Sequence, residues 1–189
     1  MIKERLNEAF AVNRHISEDQ IFLDKIDQCI NTITSALRSG CKVLFCGNGG
    51  SAADAQHLAA ELSGKFYFDR PPLSAEACHV NTSFLTAVSN DYSFERAYAR
   101  YIEGVAHKGD VLVAISTSGN SENIVQAAIQ ARKQGLKVIG MTGESGGKLL
   151  QHSDILLNIP SGNTPRIQEA HILIGHIICE QVEKNLFSQ

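Results

Sequence analysis

The amino-acid sequence predicts an α/β fold: a three-layer, doubly wound sheet of about five parallel strands, preceded by N-terminal helices. From residue 42 onward, short β-rich runs alternate with helical stretches, which is the order of a parallel sheet with crossover helices. The runs are continuously apolar, as expected of strands covered on both faces. The chain has 189 residues, of which 43% are hydrophobic and 20% charged. It can therefore bury a real core, and wholesale disorder is excluded.

The first 40 residues are predicted to be helical. After a break near residues 15 and 16, Ser17 and Gln20 have the spacing of a capping box that would begin a second helix. The apolar residues of this helix recur at three or four positions and form one stripe, which packs on the core or on another subunit; they are Phe22, Ile26, Ile30, Ile33 and Leu37. We predict an N-terminal helical segment at residues 1–40 and the doubly wound domain at residues 41–189.

The sheet domain is predicted from five apolar runs and the helical stretches between and after them. The strands are expected at residues 43–46, 77–80, 111–115, 137–141 and 155–159. Helices are expected near residues 51–63, 82–89, 93–107, 121–134, 145–151 and 166–186.

Charge and cysteine usage exclude several classes of protein. The net charge is −3 and the basic residues are dispersed, which argues against a nucleic-acid surface. The five cysteines form no CxxC pair, so we expect neither a disulfide framework nor a zinc finger, and a reducing, cytoplasmic location fits best. No apolar run approaches the roughly 20 residues that cross a bilayer, and no membrane partner is expected.

Two loops at predicted strand ends are candidate ligand sites, because ligands of such folds collect at the carboxyl ends of the strands. The glycine loop, residues 47–50, leads into a helix with Ser51 as its expected N-cap and Asp54 at the capping-box position. Its glycines and the following helix start suit an anion. The hydroxyl loop, residues 116–121, offers Ser116, Thr117, Ser118 and Ser121 around another helix start. This is the composition of a phosphate cradle without a fixed cation.

Two helices carry groups able to bind a metal or transfer a proton. His57 and Glu61 are four residues apart and share a helix face. The C-terminal helix carries Gln168, His171 and His176. A histidine in so apolar a helix is either a core residue or part of an interface.

Five ordered motifs together resemble the bacterial phosphoheptose isomerases of the sugar isomerase (SIS) family, over essentially the whole chain. They are GNGGS, AxxQHLAxEL, the pair Asn90-Asp91, ISTSGNS and RIQExH. The resemblance implies a cytoplasmic homotetramer that converts sedoheptulose 7-phosphate into D-glycero-D-manno-heptose 7-phosphate for lipopolysaccharide and related surface glycans.

The resemblance also implies roles for individual residues. Glu61 and His176 match the acid/base residues, and one Zn²⁺ per subunit would be held at the positions of His57, Glu61, Gln168 and His176. The substrate-binding positions are Asn48, Gly49, Gly50, Ser51, Glu61, Asn90, Asp91, Ser116, Thr117, Ser118, Ser121 and Gln168.

Two difficulties accompany these roles. A Glu61 bound tightly to zinc would be a poor base, so either its carboxylate leaves the ion or His176 performs the carbon chemistry. On one ideal helix, Gln168 and His176 would be separated by ~12 Å along the axis. We therefore predict a composite active site at a subunit interface.

Two alternative functions remain open from the sequence. A related scaffold that binds a replication initiator shares the GNGGS and RIQExH patterns, but it differs at the positions of Ser118 and His176. An SIS isomerase or sensor for another sugar phosphate would carry the same hydroxyl loop.

Overall fold

The computed structural model describes residues 1–187. Its helices are α1 (Ile2–Glu18), α2 (Gln20–Arg38), α3 (Gly50–Ser63), α4 (Thr82–Asp91), α5 (Phe94–Val105), α6 (Glu122–Lys133) and α7 (Thr164–Phe187). Its strands are β1 (Val43–Cys46), β2 (Ala75–Ala77), β3 (Val111–Ile115), β4 (Lys137–Thr142) and β5 (Ile155–Asn158). The helical stretch predicted at residues 145–151 is a short 3₁₀ helix, Gly147–Gln151.

All five strands are parallel and lie in the order β2-β1-β3-β4-β5, which confirms the predicted fold class. The predicted position of the second strand, residues 77–80, is wrong: β2 ends at Ala77. Beyond Ala77 the chain turns, and the Val80 N–H donates to the Ala77 carbonyl. The apolar residues after this strand therefore belong to the connection with α4.

Helices cover both faces of the sheet. On one face, α2, α3 and α7 share a core with β1, β3 and β4. On the other face, α5 and α6 form a second core with the same strands. The predicted stripe of α2 lies within the first core: Phe22, Ile26, Ile30 and Ile33 are buried there, and Leu37 packs against them.

Two predicted helix caps are wrong. Asp19, not Ser17, caps α2: its carboxylate accepts from the Phe22 N–H at 3.1 Å. Likewise α3 begins one residue earlier than expected, with Gly49 as its N-cap at φ +56°. Ser51 therefore lies buried in the first turn of α3. A left-handed backbone at the cap position is accessible to glycine and strained for serine.

The strand order identifies where this sheet can bind a ligand. The chain passes from β1 to β2 on one side and from β2 back across β1 to β3 on the other. The carboxyl ends of β1 and β3 therefore flank a topological switch point, where a crevice opens above the sheet. The glycine loop and the hydroxyl loop leave these two strand ends.

Candidate active site

A pair of asparagine side chains joins the glycine loop to the helix that follows the hydroxyl loop. The Asn48 amide donates to Asn123 Oδ1 at 2.8 Å, and the Asn123 amide donates back to Asn48 Oδ1 at 2.9 Å. Asn123 is buried in the first turn of α6. On the other side of the loop, the buried Tyr98 hydroxyl donates to the Gly47 carbonyl at 2.7 Å. These bonds hold the two loops at a fixed separation.

The hydroxyl loop is a tight turn ending at α6. Its Ser116 hydroxyl donates to the Ser121 hydroxyl at 3.1 Å, and the Gly119 N–H donates to the Ser116 carbonyl at 2.9 Å. Gly119 has φ +66°, and a Cβ there would collide with the Gly146 carbonyl. Ser121 is the N-cap of α6, so the first N–H groups of the helix have no intrahelical acceptor. Together, the hydroxyls and the helix start provide donors for an anion.

Replacing Asn123 by aspartate is expected to weaken the binding of a phosphate-bearing ligand at the hydroxyl loop ~10-fold or more. The new carboxylate would lie beside the anion loop and repel a phosphate, and it would lose the N–H that Asn48 accepts. The matched control is Asn31→Asp, which adds the same charge at an exposed position of α2. Calorimetric titration of both variants with a sugar phosphate checks the prediction, and equal dissociation constants would contradict it.

In the C-terminal half of α3, three side chains from α3 and α7 converge. His57 and His176 face each other through their Nε2 atoms at 2.8 Å, and Glu61 Oε1 lies 3.3 Å from His57 Nε2. One potential ligand atom from each residue lies within 4.8 Å of the others. We call His57, Glu61 and His176 the histidine–glutamate group. Two imidazoles and one carboxylate are the protein ligands of one type of catalytic zinc site, and they are equally suited to proton transfer.

The surroundings of this group are partly apolar. Phe66 packs edge-on against the His176 ring, with ring centroids 6.0 Å apart. Phe66, Tyr67, Glu61 and His176 line an open cavity of about 350 Å³. One turn before His57 on α3, burial raises the pKa of Asp54 to about 6, an effect that a nearby charged His57 opposes.

Gln168 lies away from the histidine–glutamate group within one chain. Its amide packs against Gly50, where a Cβ would approach Gln168 Nε2 to 2.5 Å. Gly50 begins α3, and Glu61 follows eleven residues later, ~16 Å along the helix axis. The structure thus groups Gln168 with the glycine loop.

The remaining candidates are placed as follows. Asn90 and Asp91 end α4, are exposed, and are joined to each other by a hydrogen bond of 2.9 Å. His171 is the core histidine of α7: it is fully buried, contacts the Thr142 carbonyl through Nε2 at 3.2 Å, and burial lowers its pKa to about 4. His176 is only partly buried and faces His57 instead.

Sequence reasoning missed Asn123, Arg70 and Glu183. Asn123 lies two residues beyond the hydroxyl loop, so its proximity to the loop was its only signal. Arg70 and Glu183 form a buried ion pair near the histidine–glutamate group, with Arg70 Nε 2.8 Å from Glu183 Oε1. Neither residue belongs to a motif that predicts this contact.

The chain is an α/β protein whose doubly wound sheet carries a hydroxyl-rich loop and a helix start at its switch point, where such folds bind ligands. The chain belongs to the SIS domain family, whose model matches residues 6–143. No helix within residues 1–187 is long and apolar enough to cross a membrane.

Similar proteins are named phosphoheptose isomerases. One from Mycobacterium tuberculosis is 52% identical over 181 residues, which cover 96% of this chain and 92% of the relative. A solved phosphoheptose isomerase from Francisella tularensis has a TM-score of 0.93 and 36% identity, covering 97% of this chain and 96% of its own. That from Neisseria gonorrhoeae has a TM-score of 0.89 and 38% identity, covering 97% of this chain and 100% of its own.

Proposed function

We propose that this protein is an aldose–ketose isomerase that converts sedoheptulose 7-phosphate into D-glycero-D-manno-heptose 7-phosphate for surface-glycan biosynthesis. The observation that carries this proposal is the histidine–glutamate group, in which His57, Glu61 and His176 converge within 4.8 Å. The similarity to phosphoheptose isomerases over nearly the full chain supports the substrate. These relatives give no support to the scaffold function or to a different sugar phosphate.

The reaction moves one hydrogen between neighbouring carbons. A base removes a proton from C1 of the ketose, giving an enediolate, and an acid returns a proton to C2. A second proton passes from the oxygen on C1 to the oxygen on C2, so that an aldehyde replaces the ketone without net gain or loss of atoms. The enzyme must therefore supply a base, a proton shuttle and stabilisation of the oxyanion.

Glu61 and His176 are assigned these proton transfers. Glu61 Oε1 faces His57, and the second carboxylate oxygen would act on the carbon-bound proton when the carboxylate is not held by a metal ion. His176 shares the open cavity with Glu61 and, as an imidazole, can both donate and accept at the sugar oxygens. His57 orients both partners through its contacts with them.

The donor set of the histidine–glutamate group fits a Zn²⁺ ion. His57, Glu61 and His176 would hold it, and Gln168 is the proposed fourth ligand. When bound, zinc supplies Lewis-acid stabilisation of the developing oxyanion.

The proposed active site is composite and lies between subunits of a homotetramer. Gln168 packs against Gly50 at the start of α3, and Glu61 lies ~16 Å farther along the helix axis, so Gln168 and the histidine–glutamate group of one chain do not meet. The hydroxyl loop and Gln168 of one subunit would therefore combine with the histidine–glutamate group of another. Exposed apolar side chains on α1 and α7 provide surface for such contacts; they include Leu6, Phe10, Leu173 and Ile177.

Mixed tetramers are expected to recover activity that neither parent variant has. One parent carries Glu61→Gln and the other carries Ser116→Ala together with Thr117→Val. Co-refolding them would create some interfaces in which an intact loop meets an intact histidine–glutamate group. The measurement is the activity of the mixture against that of each parent refolded alone. A mixture as inactive as its parents would place the whole site within one subunit.

The proposed reaction is tested by incubating the purified protein with sedoheptulose 7-phosphate and following the sugar phosphates by ³¹P NMR. We expect turnover, its loss after treatment with a chelator, and its return with Zn²⁺. Fructose 6-phosphate and ribulose 5-phosphate serve as shorter substrates. Lack of turnover by zinc-replete protein would favour the scaffold, and turnover of the shorter sugars alone would favour another SIS isomerase.

A further inference from the structure

A buried carboxylate on α7 binds the segment that follows α3. Glu183 is fully buried and accepts the backbone N–H groups of Phe66 at 2.9 Å, Tyr67 at 2.7 Å and Phe68 at 3.1 Å. Burial raises the pKa of Glu183, but these bonds and the Arg70 guanidinium outweigh that effect and hold the pKa below its usual value. Glu183 is therefore a buried, charged carboxylate that holds the main chain of residues 66–68.

Arg70 connects this carboxylate to the end of α3. Its Nε donates to Glu183 Oε1 at 2.8 Å, and its side chain is 2% exposed. The two terminal nitrogens of Arg70 donate to main-chain carbonyls. Nη2 donates to the Glu61 carbonyl at 3.1 Å. Nη1 donates to the carbonyls of Leu62 at 2.9 Å, Gly64 at 3.0 Å and Pro71 at 3.1 Å. The guanidinium thus donates to the carbonyls of Glu61 and Leu62 in the last turn of α3, where helix carbonyls lack intrahelical N–H donors.

The two residues fix the geometry around the histidine–glutamate group. Arg70 holds the main chain of Glu61 itself, while Glu183 lies two turns beyond His176 on α7. The segment they hold places Phe66 against the His176 ring. A buried ion pair is in general weak evidence for a gain in stability, because desolvation opposes the attraction between the charges. The hydrogen bonds of the Arg70–Glu183 pair are better explained by a role in placing the main chain of Glu61 and the segment at residues 66–68.

We propose that the buried Arg70–Glu183 pair is a positioning device for the carboxylate of Glu61. The pair sets the axial position of α3 against α7 and thereby the spacing within the histidine–glutamate group. This role rests on the proposed isomerase function. Neither residue contacts the substrate, since both side chains are buried behind the segment they hold.

The test uses Arg70→Lys and Glu183→Gln in the full-length chain. Supporting groups around metal sites typically contribute 10–100-fold to affinity or activity. We therefore expect kcat to fall ~10–100-fold and Zn²⁺ affinity, measured by competition with a chromogenic chelator, to fall ~10-fold or more. The KM should remain nearly unchanged because the hydroxyl loop lies at the far end of α3.

Two control variants separate positioning from stability. Arg100→Lys makes the same exchange at an exposed arginine that stacks on Tyr92. Leu136→Ala removes a buried side chain from the core on the opposite face of the sheet and should lower the melting temperature while leaving kcat and Zn²⁺ affinity intact. Both controls are compared with the two test variants by thermal unfolding and by kinetics.

Folding, kcat and Zn²⁺ affinity of the two test variants together decide whether the Arg70–Glu183 pair positions Glu61. Folded Arg70→Lys and Glu183→Gln proteins with normal kcat and Zn²⁺ affinity would overturn the positioning role. If Arg70→Lys and Glu183→Gln both fail to fold while Leu136→Ala folds, the positioning role is also overturned, because the pair is then needed for folding itself. A wild-type protein without turnover would instead count against the proposed function.

Discussion

Replacing Glu61 by glutamine is expected to lower kcat for sedoheptulose 7-phosphate by ~10³-fold, because a positioned general base typically contributes 10²–10⁴-fold. Glutamine has nearly the same shape but cannot accept the carbon-bound proton. Because the proposed phosphate site is the hydroxyl loop and not Glu61, the KM should change little. Stopped assays with ³¹P NMR detection measure both constants.

The matched control is Glu103→Gln, which removes one negative charge from an exposed position on α5. The kcat and KM of Glu103→Gln should equal those of the wild type. A Glu61→Gln protein with kcat close to that of Glu103→Gln would remove Glu61 from the reaction.

Replacing His176 by alanine is expected to lower both Zn²⁺ affinity and kcat more than ~100-fold, since even groups that only support metal ligands contribute up to that amount. The substitution removes the partner that His57 Nε2 meets at 2.8 Å. The fold should persist because His176 is only partly buried. Zn²⁺ titration, circular dichroism and kinetics check the three parts of this prediction.

His107→Ala is the control for His176→Ala, because His107 is exposed in the loop before β3. Its Zn²⁺ affinity and activity should match the wild type. Unchanged activity of His176→Ala would exclude His176 from the mechanism, and unchanged Zn²⁺ affinity would exclude it as a ligand.

The sheet could be predicted from sequence because its central strands are continuously apolar. Residues 43–46 and 111–115 are buried along their whole length, and the observed strands coincide with the apolar runs. The edge strand β2 lacks that signal: only Ala77 of its three residues is buried. Its position depends on pairing with β1, which a local pattern does not show.

Contacts between distant segments explain what sequence reasoning missed at the site. The spacing of His57 and Glu61 predicts their common helix face, whereas the approach of His176 depends on how α7 packs against α3. Arg70 and Glu183 lie 113 positions apart, and Asn48 and Asn123 lie 75 apart. The axial distance between Gln168 and His176 could be predicted from the sequence, because each residue of an α-helix advances 1.5 Å along the axis.

The most direct measurement is a crystal structure of the Glu61→Gln variant with sedoheptulose 7-phosphate bound. We predict that the phosphate accepts hydrogen bonds from the hydroxyl loop of one subunit, and that C1 and C2 lie within about 3.5 Å of the side chains of residues 61 and 176 of a neighbour, the distance reaction requires. A phosphate bound away from residues 116–121, or a C1–C2 bond remote from both side chains, would contradict the account.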